Sequence, residues 1–173
     1  MTLHHQLRSK IRDVPDFPKP GILFRDITPV LEDPKLFGDL VRALADPWRK
    51  DGLTRVVGVE SRGFIFGAPL ALELGVGFSL VRKPGKLPHK TLTRSYSLEY
   101  GEGSLEMHAG TVGKKDRAII VDDLLATGGT AHASAHLVAE TGATVVGYSF
   151  VVELGALKGR ARLDARVEAL LTY

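Results

Sequence analysis

The sequence contains no cysteine, so no disulfide framework staples the fold and no thiolate can ligate a metal. Asparagine is absent too, and Gln6 is the sole glutamine. Heat tolerance and a GC-rich genome would each deplete side-chain amides, and the ordinary charged fraction of 25% favours neither. No apolar run approaches the length needed to span a bilayer, and the opening MTLHHQLRSK lacks the apolar stretch of a secretory signal. The expectation is a cytoplasmic protein with no membrane partner. Excess charge is scarce as well: the net charge is +3 and the basic residues are scattered, which argues against a nucleic-acid partner.

What is present fits a single domain spanning 1–173, since 44% apolar content supplies an ordinary core for that length. Strand and helix patterns alternate along it. In DPKLFGDLVRALADPWR, Asp33 and Pro34 are the cap and first residue of a helix, and Leu36, Phe37, Leu40, Val41 and Leu44 recur at helical spacing. RVVGVE (55–60), VGFSLVR (76–82), AIIVDD (118–123) and TVVGYSFVVE (144–153) read as short buried strands, with helices over about 64–74 and 131–141 between them. Strands separated by helices predict an α/β fold with a mainly parallel sheet. TRSYSLEYGEGSLEMHA breaks the rhythm and predicts an antiparallel hairpin turning at Gly101-Glu102-Gly103. There is no internal repeat and no low-complexity segment.

In open α/β sheets, ligands bind beyond the carboxyl ends of the strands. Three polar stretches fall there: Glu60-Ser61-Arg62-Gly63, Arg82-Lys83, and the segment that continues from Asp122-Asp123. The last reads AIIVDDLLATGGT. Ala126-Thr127-Gly128-Gly129-Thr130 joins a strand to a helix, where glycines let the backbone close around an anion and successive N–H groups point at it. The hydroxyls of Thr127 and Thr130 add donors. No Gly-Lys-Ser/Thr follows, so this is not a Walker loop, and the glycine spacing differs from the dinucleotide fingerprint. Carboxylates accept hydrogen bonds from vicinal ribose hydroxyls and share Mg²⁺ with substrate phosphates, which gives the adjacent aspartates a purpose before a phosphate loop. The six histidines form no metal set: His132 and His136 share a helix face at i, i+4 but lack the glutamate of a zincin motif.

IIVDDLLATGGT resembles the phosphoribosyl-diphosphate motif of the type I phosphoribosyltransferase family. The segments FPKPGILFRDITPVLEDP, GVESRGFIFGAPLALELGVG, VRKPGKLP, YSLEYG and VELGALKGR resemble its adenine-accepting branch, over roughly residues 12–163. The resemblance implies a twisted, mainly parallel sheet flanked by helices, an N-terminal hood (about 1–34) and a flexible loop and hairpin lid (about 83–110). It implies transfer of a 5-phosphoribosyl group from phosphoribosyl diphosphate to N9 of adenine, giving AMP and diphosphate, with Mg²⁺ held mainly by the substrate rather than by protein ligands, and a homodimer. By the same resemblance Ala126 to Thr130 take the 5′-phosphate and Asp122 and Asp123 face the ribose. Glu60, Ser61, Arg62, Arg82, Lys83, Lys86 and Tyr100 belong to the diphosphate side, with a non-proline cis peptide between Glu60 and Ser61. Glu99 handles a proton on the purine, and the backbone of Leu23 and Arg25 reads its edge beside Phe24. A regulator that keeps the fold to sense the same sugar diphosphate is the rival from another class, and a transferase of another purine the nearer one.

Overall fold

The computed structural model describes residues 2–97 and 102–173, which divide into two compact units, Met1–Ala43 and Leu44–Tyr173. In the first unit, helix α1 (Leu3–Lys10) starts at Thr2, whose hydroxyl accepts the His5 N–H. Strands β1 (Arg12–Pro15) and β2 (Leu23–Asp26) form an antiparallel ribbon in the register Arg12↔Asp26 to Pro15↔Leu23. The connection between them holds a cis Phe17–Pro18 peptide, and the Gly21 N–H donates to Asp16 at 2.7 Å. A short helix α2 (Thr28–Leu31) follows, with Asp26 accepting from both the backbone N–H and the hydroxyl of Thr28. Helix α3 (Pro34–Ala45) begins as its sequence predicts, with the Asp33 carboxylate accepting the Leu36 N–H at 3.0 Å. Leu36, Leu40, Val41 and Leu44 are its buried stripe.

The second unit is built on one seven-stranded sheet. Its elements in chain order are β3 (Arg55–Val59), α4 (Arg62–Leu74), β4 (Gly77–Arg82), β5 (Thr91–Ser97), β6 (Glu102–His108), β7 (Arg117–Leu125), α5 (Gly129–Glu140), β8 (Thr144–Glu153) and β9 (Arg166–Thr172). Across the sheet they run β5-β6-β4-β3-β7-β8-β9. The five strands from β4 to β9 are parallel, and the β5–β6 hairpin joins antiparallel at β4. Residues 56–59 of β3 and 118–121 of β7 are free of polar side chains and do not alternate because helices cover the sheet, and Val56, Val57, Ile119, Ile120 and Val121 are fully buried. The inward face of α5, with Ala131, Ala135, Leu137 and Val138, packs with Val57, Val59, Ile120, Tyr148 and Phe150. Each large apolar side chain so buried contributes about 1.5–3 kcal/mol.

The sequence reading did not include α1, α2 or the β1–β2 ribbon, it placed in the hairpin turn Glu102 and Gly103, which pair in β6, and it differs at β7 and β9. β7 continues past the aspartates to Leu125, because the ten-residue β8 offers ladder partners that far, pairing Leu124 with Val152 and Leu125 with Glu153. The acids therefore sit inside the strand, Asp122 opposite Phe150. β9 lies past the segments that carry the resemblance and forms the edge of the sheet beside β8. Between β8 and β9 the chain makes two 3₁₀ turns, Gly155–Leu157 and Gly159–Arg162.

Candidate active site

β7 delivers the chain into the loop Ala126–Gly128, and α5 starts at Gly129. Gly128 takes φ 80°, the left-handed conformation that turns the chain from strand to helix without a Cβ penalty. No side chain caps α5, so its first amides are left for a ligand. The loop bounds a pocket of about 90 Å³ lined by Asp122, Ala126, Thr127, Gly128, Gly129 and Thr130, with Leu124, Leu125, Ala131 and Phe150 as its apolar walls. The geometry assigns the left-handed turn to Gly128; Gly129 is the first helical residue.

The back of this loop is braced by a part that sequence reasoning missed. A Cβ on Gly159 would lie 2.1 Å from the Ala126 carbonyl oxygen and 3.0 Å from the Gly128 nitrogen, and a Cβ on Gly128 would lie 2.6 Å from the Gly159 carbonyl oxygen. Backbone thus packs directly on backbone. The turn carrying Gly159 is fixed by Arg160, whose guanidinium donates to both Glu153 oxygens, at 3.1 and 2.6 Å, and to the Val167 carbonyl at 2.6 Å. The signal was in VELGALKGR, a segment noted for its resemblance and given no part to play.

Beside the loop, the aspartates are differently placed. Asp123 is buried at 4% exposure and pairs with Arg62, Nε to Oδ2 at 2.9 Å. Its own N–H donates to Asp122 Oδ1 at 2.8 Å. The start of α4 presses on both residues' strand, where a Cβ on Gly63 would lie 2.6 Å from the Val121 carbonyl oxygen and 3.1 Å from Asp122 Oδ1. Burial, and then the neighbouring Asp123 charge, pushes the Asp122 carboxyl well above the usual range. Burial also raises Asp123, with Arg62 opposing it. The pair is an uncomfortable place for two negative charges until a ligand brings hydroxyl donors or a cation.

A chain of contacts leads from the acids to the ends of β3 and β4. The Glu60–Ser61 peptide is cis, and Arg62 follows as the first residue of α4. The Glu60 carboxylate accepts from Arg82 Nη2 at 2.9 Å and from the Lys83 N–H at 2.9 Å. Arg82 Nη1 also donates to the Lys86 carbonyl at 3.0 Å. The Arg82 hydrogen bond, more than any other influence, holds the Glu60 carboxyl below its usual range. Glu60 therefore works as an anchor for Arg82 and the Lys83 backbone, while Ser61, Lys83 and Lys86 remain exposed. Glu60, Arg62, Arg82, Lys83, Asp122 and Asp123 are thus brought together toward the carboxyl ends of β3, β4 and β7.

In the first unit, Leu23 opens β2 at 45% exposure, and Pro15 opposite it has no N–H to give its carbonyl. The Phe24 ring stands edge-on to Phe17 with centroids 5.1 Å apart, and the Arg25 guanidinium pairs with Asp13. Glu99 and Tyr100 lie outside the described residues.

The sequence from 31 to 167 matches the family model described as phosphoribosyl transferase domain. The chain is 55% identical over 168 residues to the adenine phosphoribosyltransferase of Anaeromyxobacter dehalogenans, covering 96% of this chain and 98% of that one. A solved adenine phosphoribosyltransferase from Thermoanaerobacter pseudethanolicus superposes with a TM-score of 0.96 at 50% identity, over 99% of this chain and 100% of that one. The Saccharomyces cerevisiae enzyme, solved with an imino-alditol bisphosphate and adenine, superposes with a TM-score of 0.93 at 42% identity, over 98% of each chain.

Proposed function

We infer the reaction from one premise: the chain belongs to the phosphoribosyltransferase family. It is an enzyme of purine salvage that transfers the 5-phosphoribosyl group of phosphoribosyl diphosphate to N9 of adenine, forming AMP and diphosphate. The observation that carries this reading is the direct succession of an acid pair, with Asp123 buried and Asp122 facing the pocket, and an uncapped, glycine-turned helix start at the carboxyl end of a parallel strand.

Departure of diphosphate leaves positive charge on the ribose, so catalysis requires fixed charges on both sides of the breaking bond. We assign Asp122 and Asp123 to the ribose face, where ionised carboxylates accept from its hydroxyls and stabilise the developing cation. The high proton affinity of Asp122 makes it responsive to a ligand: hydroxyl donors and nearby positive charge favour its ionised form. The α5 amides, with Thr127 and Thr130, hold the 5′-phosphate; Arg62, Arg82, Lys83 and Lys86 receive the leaving diphosphate, with Glu60 positioning Arg82. Glu99, Tyr100 and the exposed Ser61 complete this assignment from the family resemblance, as do the Leu23 and Arg25 backbone for the adenine edge.

Mg²⁺ fits the donor set as a substrate-borne ion, because the acids offer the hard oxygen ligands it takes alongside phosphates. When bound, it neutralises charge on the diphosphate. A cytoplasmic homodimer is the form in which we expect the enzyme to work. Ile65 and Leu72, seven residues apart on α4, are exposed at 39% and 84% and give a second copy an apolar stripe to cover. Sedimentation velocity should report twice the chain mass; a monomer at assay concentrations would remove the dimer. Among the described residues no helix is long and apolar enough to cross a membrane. The reaction is tested by incubating adenine, phosphoribosyl diphosphate and Mg²⁺ with the enzyme and following AMP by chromatography.

A further inference from the structure

A second polar cavity, of about 230 Å³, lies along α5 and is not used by the reaction. The side chains around it come from separate elements: Arg94, Ser95 and Tyr96 from β5, His132 and His136 from α5, and Arg162 from the turn that braces the phosphate loop. The two imidazoles face each other with Nε2 atoms 3.2 Å apart. At that distance one Nε2 donates its hydrogen and the other accepts it, so a single N–H lies between the two nitrogens. His132 is held below its ordinary range by burial first and by His136 next; Arg162 and Arg94 push the same way and Asp164 opposes them. The nearby carboxylates are already engaged: Glu140 on α5 by Arg94, and Asp164 by the Tyr148 hydroxyl of β8 at 2.8 Å. Neither lines this cavity.

Two chemistries compete for such a place. Imidazole nitrogens 3.2 Å apart match the span of two ligands on a transition metal with bonds of about 2.0–2.1 Å. The electrostatics decide against a cation: two guanidinium groups line the cavity with no carboxylate. Among the described residues no group of three His, Cys, Asp or Glu could hold a metal ion. An oxyanion meets the reverse conditions. It is attracted by Arg94 and Arg162, accepts from the hydroxyls, and gains a charged donor when the histidine pair takes up the proton that makes one ring an imidazolium.

We propose that this cavity binds a phosphate-type oxyanion, and that binding draws one proton from solvent onto the His132–His136 pair. The site is separate from the loop after β7 but adjoins it, since Gly129 borders both pockets and the Tyr96 hydroxyl stands 3.5 Å from that of Thr130. Binding tightens as pH falls through the pKa of the pair, because the protonated pair is the form the anion stabilises.

The test is a pH titration of the histidine side-chain NMR signals with AMP at saturation, with and without excess inorganic phosphate. AMP keeps phosphate out of the loop after β7, a step that rests on the proposed reaction. AMP occupancy is followed separately at the Thr130 amide, so a failure of that reading shows there, while the histidine signals report on the cavity in either case. Phosphate should raise the pKa of the pair by about one unit, which corresponds to about tenfold tighter binding to the protonated form. The effect should shrink in Arg162→Ala, whose side chain is exposed and whose loss leaves the core intact. Histidine signals that ignore phosphate in the AMP-bound enzyme, or respond equally in Arg162→Ala, would overturn the proposal.

Discussion

Asp122 concentrates the conflict between stability and function. Its carboxyl is partly buried beside a second acid, so in the ligand-free enzyme its ionised form is disfavoured. The folded protein then binds a proton more tightly than the unfolded chain, and stability falls as pH rises from the ordinary carboxylate range toward the raised native value. Asp122→Asn removes that charge while its amide oxygen can still accept the Asp123 N–H. The variant should melt higher than the wild type near neutral pH, and the gap should close as pH is lowered toward the ordinary carboxylate range. Its turnover should drop on the order of 10²-fold, the usual cost of losing one fixed charge partner in a transition state. Calorimetry across pH and a steady-state assay check both halves. A variant that melts no higher and turns over normally would make Asp122 a plain strand residue. Asp123→Asn should also slow turnover, and it removes the negative charge that faces Arg62.

The elements around the loop make a different prediction. Gly159 belongs to no strand or α-helix, yet its backbone supports the Ala126–Gly128 turn from behind. A methyl group there must push the loop outward, and a displacement of about 1 Å at a positioned site can cost on the order of 10²-fold. Gly159→Ala should therefore weaken AMP binding steeply in calorimetry while the protein remains folded by circular dichroism. Unchanged AMP affinity would show that the brace is incidental. In the first unit, the ribbon of β1 and β2 carries the residues assigned to the adenine edge through their backbone. Leu23→Val should leave base preference nearly intact and deletion of 21–25 should abolish it, as measured by kcat/KM for competing purines. A large effect of Leu23→Val would show that the side chain, not the backbone, does the reading.

For the whole molecule, what could be seen in the sequence follows from how local each cause is. β8 matches its predicted range because a run rich in β-branched and aromatic residues is bounded by Gly142 and by the turn at Gly155. α3 was legible from its cap, its proline and its stripe, all within one segment. β7 was read too short because Leu124 and Leu125 gain strand geometry only from β8 alongside. The ribbon strands RDVP and LFRD are too short and mixed to show alternation, and they exist through each other. The acid pair and the glycine loop are contiguous in sequence and could be quoted as one motif. The Arg62–Asp123 ion pair and the packing of Gly159 on Ala126 join distant segments, and a one-dimensional pattern carries no record of them. The central claim concerns the base. Adenine offers an amine donor beside an unprotonated ring nitrogen, and the 6-oxopurines reverse both, so a site paired to one pattern rejects the other by on the order of 10⁴. The most direct measurement is kcat/KM for adenine, hypoxanthine, guanine and xanthine with phosphoribosyl diphosphate and Mg²⁺. The account predicts AMP formation from adenine with the other bases lower by about that factor, and comparable efficiency with hypoxanthine or guanine would contradict it.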